Sequence, residues 1–229
     1  MLNLALYSDQ IIPENSVIDA RLVELLEARA GGYRIGYIPS APEPDRRFFN
    51  ERKAYYSRCR LRLSVFYDLD IPHSAEETGE LLACDAIHLS GGHTRGFLER
   101  LRQSGLIPVL RDWVLSGGIL IGASAGSILM TPTIATDSLF SGGNPEETVD
   151  GEALDLVPFE FFPHLGVQTD YLPKLIHYSR HISRPIIACR DGEGVVLTRG
   201  KIEYFGTPLW IEGGVAHQAN QLIHKMNFV

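Results

Sequence analysis

The sequence predicts an α/β fold with a mostly parallel sheet covered by helices on both faces, and three observations predict it. Strand-like apolar runs alternate with helix-length segments along most of the chain, the pattern that parallel crossovers impose. One run, Gly118–Ile121, passes through Gly122-Ala123-Ser124-Ala125-Gly126 into the helix-competent Ser127–Met130, so a strand feeds a helix across a turn of small residues. The 229 residues, 45% of them apolar, suit a single domain (1–229) with a full core.

The elements follow in order. Leu2–Tyr7 is an apolar first strand. Ser16–Ala30 carries Val17, Ile18, Leu22, Leu25 and Leu26 at helical spacing and is closed by Gly31-Gly32. Arg34–Ile38 is the second strand, stopped by Pro39; Glu43–Arg62 is a polar helix bearing Phe48, Tyr55 and Tyr56; Leu63–Tyr67 is the third strand. A short helix over Glu76–Ala83 precedes the fourth strand, Asp85–Leu89, which ends in Ser90-Gly91-Gly92-His93. Thr94–Gln103 and Ile107–Ser116 form a broken helical pair before the turn strand. Thr131–Pro163 is irregular, punctuated by Gly142-Gly143 and four prolines; so long a stretch beside a presumed site reads as active-site wall rather than linker. A helix over Asp170–Ile182 and short strands at Pro185–Cys189, Gly194–Leu197 and Lys201–Phe205 follow, and the last twenty-odd residues, with Trp210, are expected to cover a sheet edge.

Composition excludes several partners. A net charge of −7 without any Lys/Arg cluster argues against nucleic acid. No apolar run approaches the ~20 residues that span a bilayer, and Met1–Tyr7 lacks the basic flank of a signal peptide. Cys59, Cys84 and Cys189 are odd in number and widely spaced, which suits buried thiols in a reducing, cytoplasmic setting.

The small-residue turn is where chemistry enters. Gly122–Gly126 fits G-x-S-x-G, in which a serine on a strained strand-to-helix turn projects its hydroxyl from the sheet edge; the competing reading is a tight structural turn. Ser124 is the candidate nucleophile, and the Ala125 amide beyond it is placed to meet an oxyanion. A serine needs a base, and of eight histidines His164 stands out, following Phe161-Phe162-Pro163 at an expected strand end. Asp191, Glu193 and Asp137 are the acids available to orient it, all on turns. The bare backbone of Gly91-Gly92 allows the Gly92 amide to complete an oxyanion hole or merely to turn the chain. His177 and His181, spaced i, i+4, suit a metal pair, but no neighbouring carboxylate or cysteine in the sequence completes it; no metal and no organic cofactor is expected.

Taken together, Ile38-Pro39-Ser40-Ala41, Ser90-Gly91-Gly92-His93-Thr94, Gly122–Gly126, Phe162-Pro163-His164 and Asp191-Gly192-Glu193 resemble the peptidase E family of serine dipeptidases and cyanophycinases, in the family's order across residues 2–206. The resemblance implies a three-layer sandwich like that of class I glutamine amidotransferases (flavodoxin-like), with serine at the elbow in place of cysteine. It implies Ser124 as nucleophile, His164 as base and Asp191 as the orienting acid, with Asp137 near another acid position discussed for the family. The expected substrate is a small peptide or amide, with or without an N-terminal aspartate, and the expected assembly a monomer or homodimer.

Two positions depart from the family. His93 stands where an asparagine is usual, which alters substrate contacts or competes for the serine proton. The arginine that aspartyl dipeptidases carry after the histidine is absent from Gln168–Lys174, where Lys174 offers only a point charge. These departures keep two other readings open, an esterase or other acyl hydrolase using the same serine and a ligand-binding protein that has lost catalysis.

Overall fold

The computed structural model describes residues 2–28 and 33–221. Eleven strands and seven helices are formed among them. The first half contains β1 (Asn3–Tyr7), α1 (Ser16–Glu27), β2 (Arg34–Ile38), α2 (Arg47–Arg58), β3 (Arg62–Phe66), α3 (Ala75–Leu82) and β4 (Ala86–Leu89). Next come α4 (Thr94–Gln103), α5 (Leu106–Leu115), β5 (Ile119–Ala123) and α6 (Ala125–Ile128). The remainder adds β6 (Glu160–Phe162), α7 (Tyr171–Tyr178), β7 (Ile186–Ala188), β8 (Gly194–Thr198), β9 (Lys201–Phe205), β10 (Leu209–Glu212) and β11 (Val215–Gln218).

Seven strands form one sheet in the order β3-β2-β4-β5-β1-β8-β9. The first five are parallel, and β8 and β9 close the sheet antiparallel. Inward alternation on β1 shows why both faces need covering. Leu4 and Leu6 join a core with Leu81, Phe97, Leu101, Leu110 and Ile128 from α3 to α6, while Ala5 and Tyr7 join a second core with Ile18, Leu22, Tyr55 and Tyr56 from α1 and α2. The chain leaves β2 toward β3 on one side and leaves β4 toward β5 on the other. The crevice beyond the C-terminal ends of β2 and β4 is therefore a topological switch point, the usual ligand position in such sheets.

Several expectations change in detail. The helix expected over Glu43–Arg62 is shorter because Glu43 is used as a turn: its carboxylate accepts the Phe49 N–H at 2.8 Å, and Arg46 takes a positive φ of 52° before the helix begins. At the other end Arg60 turns with φ 60°. The residues with which Gly31-Gly32 was expected to close the first helix lie outside the described residues.

The larger correction concerns the C-terminal third. Of the last twenty-odd residues, 209–218 form β10 and β11, a hairpin in a second sheet of order β11-β10-β7-β6, while 222–229 lie outside the described residues; β6 arises inside the stretch expected to be irregular. This sheet also buries both faces. Phe161, Ile187 and Trp210 point into the main core, and Phe162, Ile186, Ala188 and Ile211 pack against α7 and the 3-10 turn Ala135–Ser141. Among the described residues no helix is long and apolar enough to cross a membrane.

Candidate active site

Ser124 follows β5 directly, as the N-cap of α6, with φ 51° and ψ −111°, a conformation few side chains tolerate, so neighbouring contacts must impose it. Tyr7 O of β1 anchors the turn: the Ser124 N–H donates to it at 3.0 Å, and Ser127 Oγ shares its one proton between Tyr7 O and Gly122 O of β5, each 2.8 Å away. The flanking glycines are required by packing. A Cβ at Gly122 would lie 2.5 Å from Gly126 C, and one at Gly126 would lie 2.2 Å from Leu89 O on β4.

The second sheet brings the other groups to this turn. β6 and β7 run parallel, Phe162 opposite Ala188, and the pairing continues through Cys189 N–H to Phe162 O and Leu165 N–H to Cys189 O, each 2.9 Å. Side by side, the two strand ends deliver His164 and Asp191. His164 Nε2 stands 2.8 Å from Ser124 Oγ, and its Nδ1 stands 2.5 Å from Asp191 Oδ1. An ionised carboxylate only accepts, so Nδ1 carries the proton and Nε2 is left to accept from the serine. Of the other acids, Glu193 is committed to Arg190 N–H, Thr207 N–H and Thr207 Oγ. Asp137 accepts from Thr94 Oγ1 at 2.5 Å, and burial pushes its carboxyl above the usual range.

Three neighbours of this chain of bonds were not evident from sequence. Buried Ser8, just beyond β1, accepts the His164 N–H at 2.8 Å and shares its own proton between Cys189 O at 3.2 Å and Asp191 Oδ1 at 3.3 Å. Ser127 pins the elbow as described. Phe140, from the wall segment, packs edge-on to the His164 ring at 6.0 Å and meets Tyr171 of α7 at 5.6 Å. A lone serine or phenylalanine carries no sequence signal for such roles.

Gly91, just beyond β4, lies over Ser124; a Cβ there would lie 3.5 Å from Ser124 Cβ. Gly92 has φ +139° and is packed on Ser40, where a Cβ would meet Oγ at 2.2 Å, so only glycine suits this position. On the far side of these glycines, at the switch point, lies a cavity of about 440 Å³ with Ser40, Arg52, His88, Ser90 and His93 among its walls. His88 is buried and stays neutral: burial, then the charge of Arg52, holds its imidazole well below the usual range, and Nδ1 faces Tyr56 Oη at 2.9 Å. His93 Nδ1 accepts the Gly96 N–H at 3.0 Å, capping α4 as an asparagine there also can. Lys174 is paired with Asp170 at 2.6 Å on α7, away from that cavity. The expectation that no carboxylate stands near His177 and His181 is corrected by Glu146, whose Oε1 lies 3.8 and 3.7 Å from their Nε2 atoms.

A parallel sheet with a histidine-paired serine at a strand-to-helix elbow is the architecture of a hydrolase class. The model of peptidase family S51 matches residues 5–205. Peptidase E of an Escherichia coli O6:K15:H31 strain is 27% identical over 175 residues, covering 76% of this chain and 72% of that one. An uncharacterized peptidase of Listeria innocua is 28% identical over 141 residues, covering 60% and 67%. A crystal structure of a candidate peptidase E from Listeria monocytogenes EGD-e superposes with a TM-score of 0.69 at 21% identity, covering 89% of this chain and 98% of that one. The chain belongs to peptidase family S51 and is a serine-type peptidase.

Proposed function

We propose that the protein is a peptidase E-like hydrolase of dipeptides and other short peptides or amides, acting through Ser124, His164 and Asp191 and an acyl-enzyme. The observation that carries the reading is the continuous Ser124 Oγ–His164 Nε2 and His164 Nδ1–Asp191 Oδ1 pairing. Ser124 Oγ adds to the substrate carbonyl as its proton passes to His164. The Gly92 and Ala125 amides are the proposed donors to the oxyanion. His164 then gives the proton to the leaving amine as the C–N bond breaks, and water, deprotonated by the same imidazole, releases the acid and restores the serine.

For substrate contacts, His93 stands at the cavity wall with Nε2 left after its cap, and Arg52 is the cation lining that cavity. We assign a substrate carboxylate to Arg52, because the role expected of Lys174 requires it to abandon Asp170. We further assign the fold to the class I glutamine amidotransferase-like sandwich. The thiols are no substitute nucleophiles: none is at the elbow, and burial raises all three, Cys84 to about 11. Their free state supports a cytoplasmic site of action.

The test is amino-acid release from a panel of dipeptides and acyl amides, N-terminal aspartyl ones included, with esters as comparators. Ser124→Ala is expected to remove at least about 10³-fold of the rate while keeping the fold. Hydrolysis retained in that variant overturns the assignment; turnover of esters alone converts it to an acyl hydrolase.

A further inference from the structure

We propose that Glu146, His177 and His181 form a site for a borderline divalent cation, Zn²⁺ foremost, that ties the active-site wall to α7. His177 lies in the last turn of α7, and the chain continues one helical turn through Arg180 N–H to His177 O and His181 N–H to Tyr178 O, at 3.1 and 2.9 Å. That turn brings the two imidazoles to one face, centroids 5.1 Å apart and ring planes tilted by 50°. Glu146 arrives from the short 3-10 turn Pro145–Glu147, whose position is fixed by buried Pro145 and by Asn144, which accepts the Glu146 N–H at 3.2 Å.

The donor set and spacing fit a metal. One ligand atom from each residue lies within 4.8 Å of the others, and the Glu146 Oε1 separations are 3.8 and 3.7 Å. Donors held about 2.0–2.2 Å from one tetrahedral zinc stand about 3.4 Å apart, so the two Glu146 separations close by a few tenths of an ångström and the separation between the histidines, within 4.8 Å, by up to about 1.4 Å, which exposed side chains reach by rotation. Two imidazoles and one carboxylate suit zinc and its late first-row neighbours, whereas Mg²⁺ and Ca²⁺ prefer oxygen alone. Water completes the coordination, since all three residues reach solvent.

The location gives the ion a consequence. Phe140 of the wall packs on both His164 and Tyr171 of α7, so a bond from Glu146 to His177 and His181 braces the two segments that flank the imidazole. The ion takes no part in bond-making at Ser124.

The test uses the untagged full chain, stripped with chelator, and titrates Zn²⁺ against a chromophoric competitor while following thermal unfolding. One zinc per chain and a rise in the unfolding midpoint are expected, with no rise in Mg²⁺ or Ca²⁺. His177→Ala and Glu146→Gln should each weaken uptake about tenfold or more and remove the thermal shift. No uptake by the wild type, or uptake unchanged in both variants, overturns the site. Neither readout depends on hydrolysis, so the result stands apart from the assignment of Ser124.

Discussion

At the scale of single residues, the proposed site depends on side chains that hold its histidine and acid without joining the proposed chemistry. His164 carries φ 58°, a left-handed conformation that costs on the order of 1–3 kcal/mol outside glycine. The hydroxyl of Ser8 offsets this by accepting the His164 N–H, and the same oxygen touches Asp191. Ser8→Ala leaves the part-buried His164 N–H without this acceptor and removes the hydroxyl that touches Asp191. Because no substrate atom is bound by Ser8 in the proposed reaction, the loss should fall on kcat, about tenfold or more, with KM held within about twofold. Steady-state kinetics with the folded variant checks this. A kcat equal to that of the wild type would show that Ser8 does not position the imidazole.

At the scale of elements, the β5–α6 elbow and α3 offer glycines whose replacement should act in opposite directions. Gly126→Ala drives a methyl to 2.2 Å from a β4 carbonyl, a backbone atom that cannot swing aside, so about 3 kcal/mol and roughly 6–12 °C in Tm should be lost. Gly79, inside α3, has nothing within 4 Å of an added Cβ, and Gly79→Ala should gain up to about 1 kcal/mol. Thermal unfolding of both variants decides, and equal shifts would refute the packing account. These elements also show what was legible in the sequence. The elbow is local: its small residues, its strand and its helix lie within about a dozen positions, so Ser124 and its turn could be read directly. β4 with its glycine loop and α4 were legible for the same reason. The second sheet was not: β7 was legible as a strand over Pro185–Cys189, but β6 is three residues long, shows no alternation distinct from a buried loop, and gives no sign of its pairing with β7. The choice among Asp191, Glu193 and Asp137 therefore had no local signal. It depends on the parallel pairing of β6 with β7, and Glu146 beside His177 depends on a contact of the same long-range kind.

At the scale of the whole molecule, buried ionisable groups set how stability follows pH, and they pull in opposite senses. Burial raises the carboxyls of Asp19, Glu43, Asp137 and Glu160. Each holds its proton to higher pH when folded, so its contribution is complete below the ordinary carboxylate range and is lost as pH rises through the raised value. His88 is depressed, and its sign is reversed. Above the ordinary histidine value of 6.5 it is neutral in both states; below that value the unfolded chain takes up a proton that the folded core, with Arg52 nearby, refuses. Acidification from about pH 6.5 to about pH 5.5 should therefore cost about 1 kcal/mol through this residue alone. His88→Asn removes the titration while its amide oxygen can still accept from Tyr56 Oη in place of Nδ1. Urea unfolding of both proteins at about pH 7.5, 6.5 and 5.5 isolates the effect, since the carboxyls are common to the pair. The gap between wild type and variant should be constant above about pH 7 and shrink by about 1 kcal/mol over the acidic step. A gap that does not change with pH would mean that His88 protonates as readily in the folded protein as in the unfolded chain, and the neutral imidazole beside Arg52 would have to be abandoned.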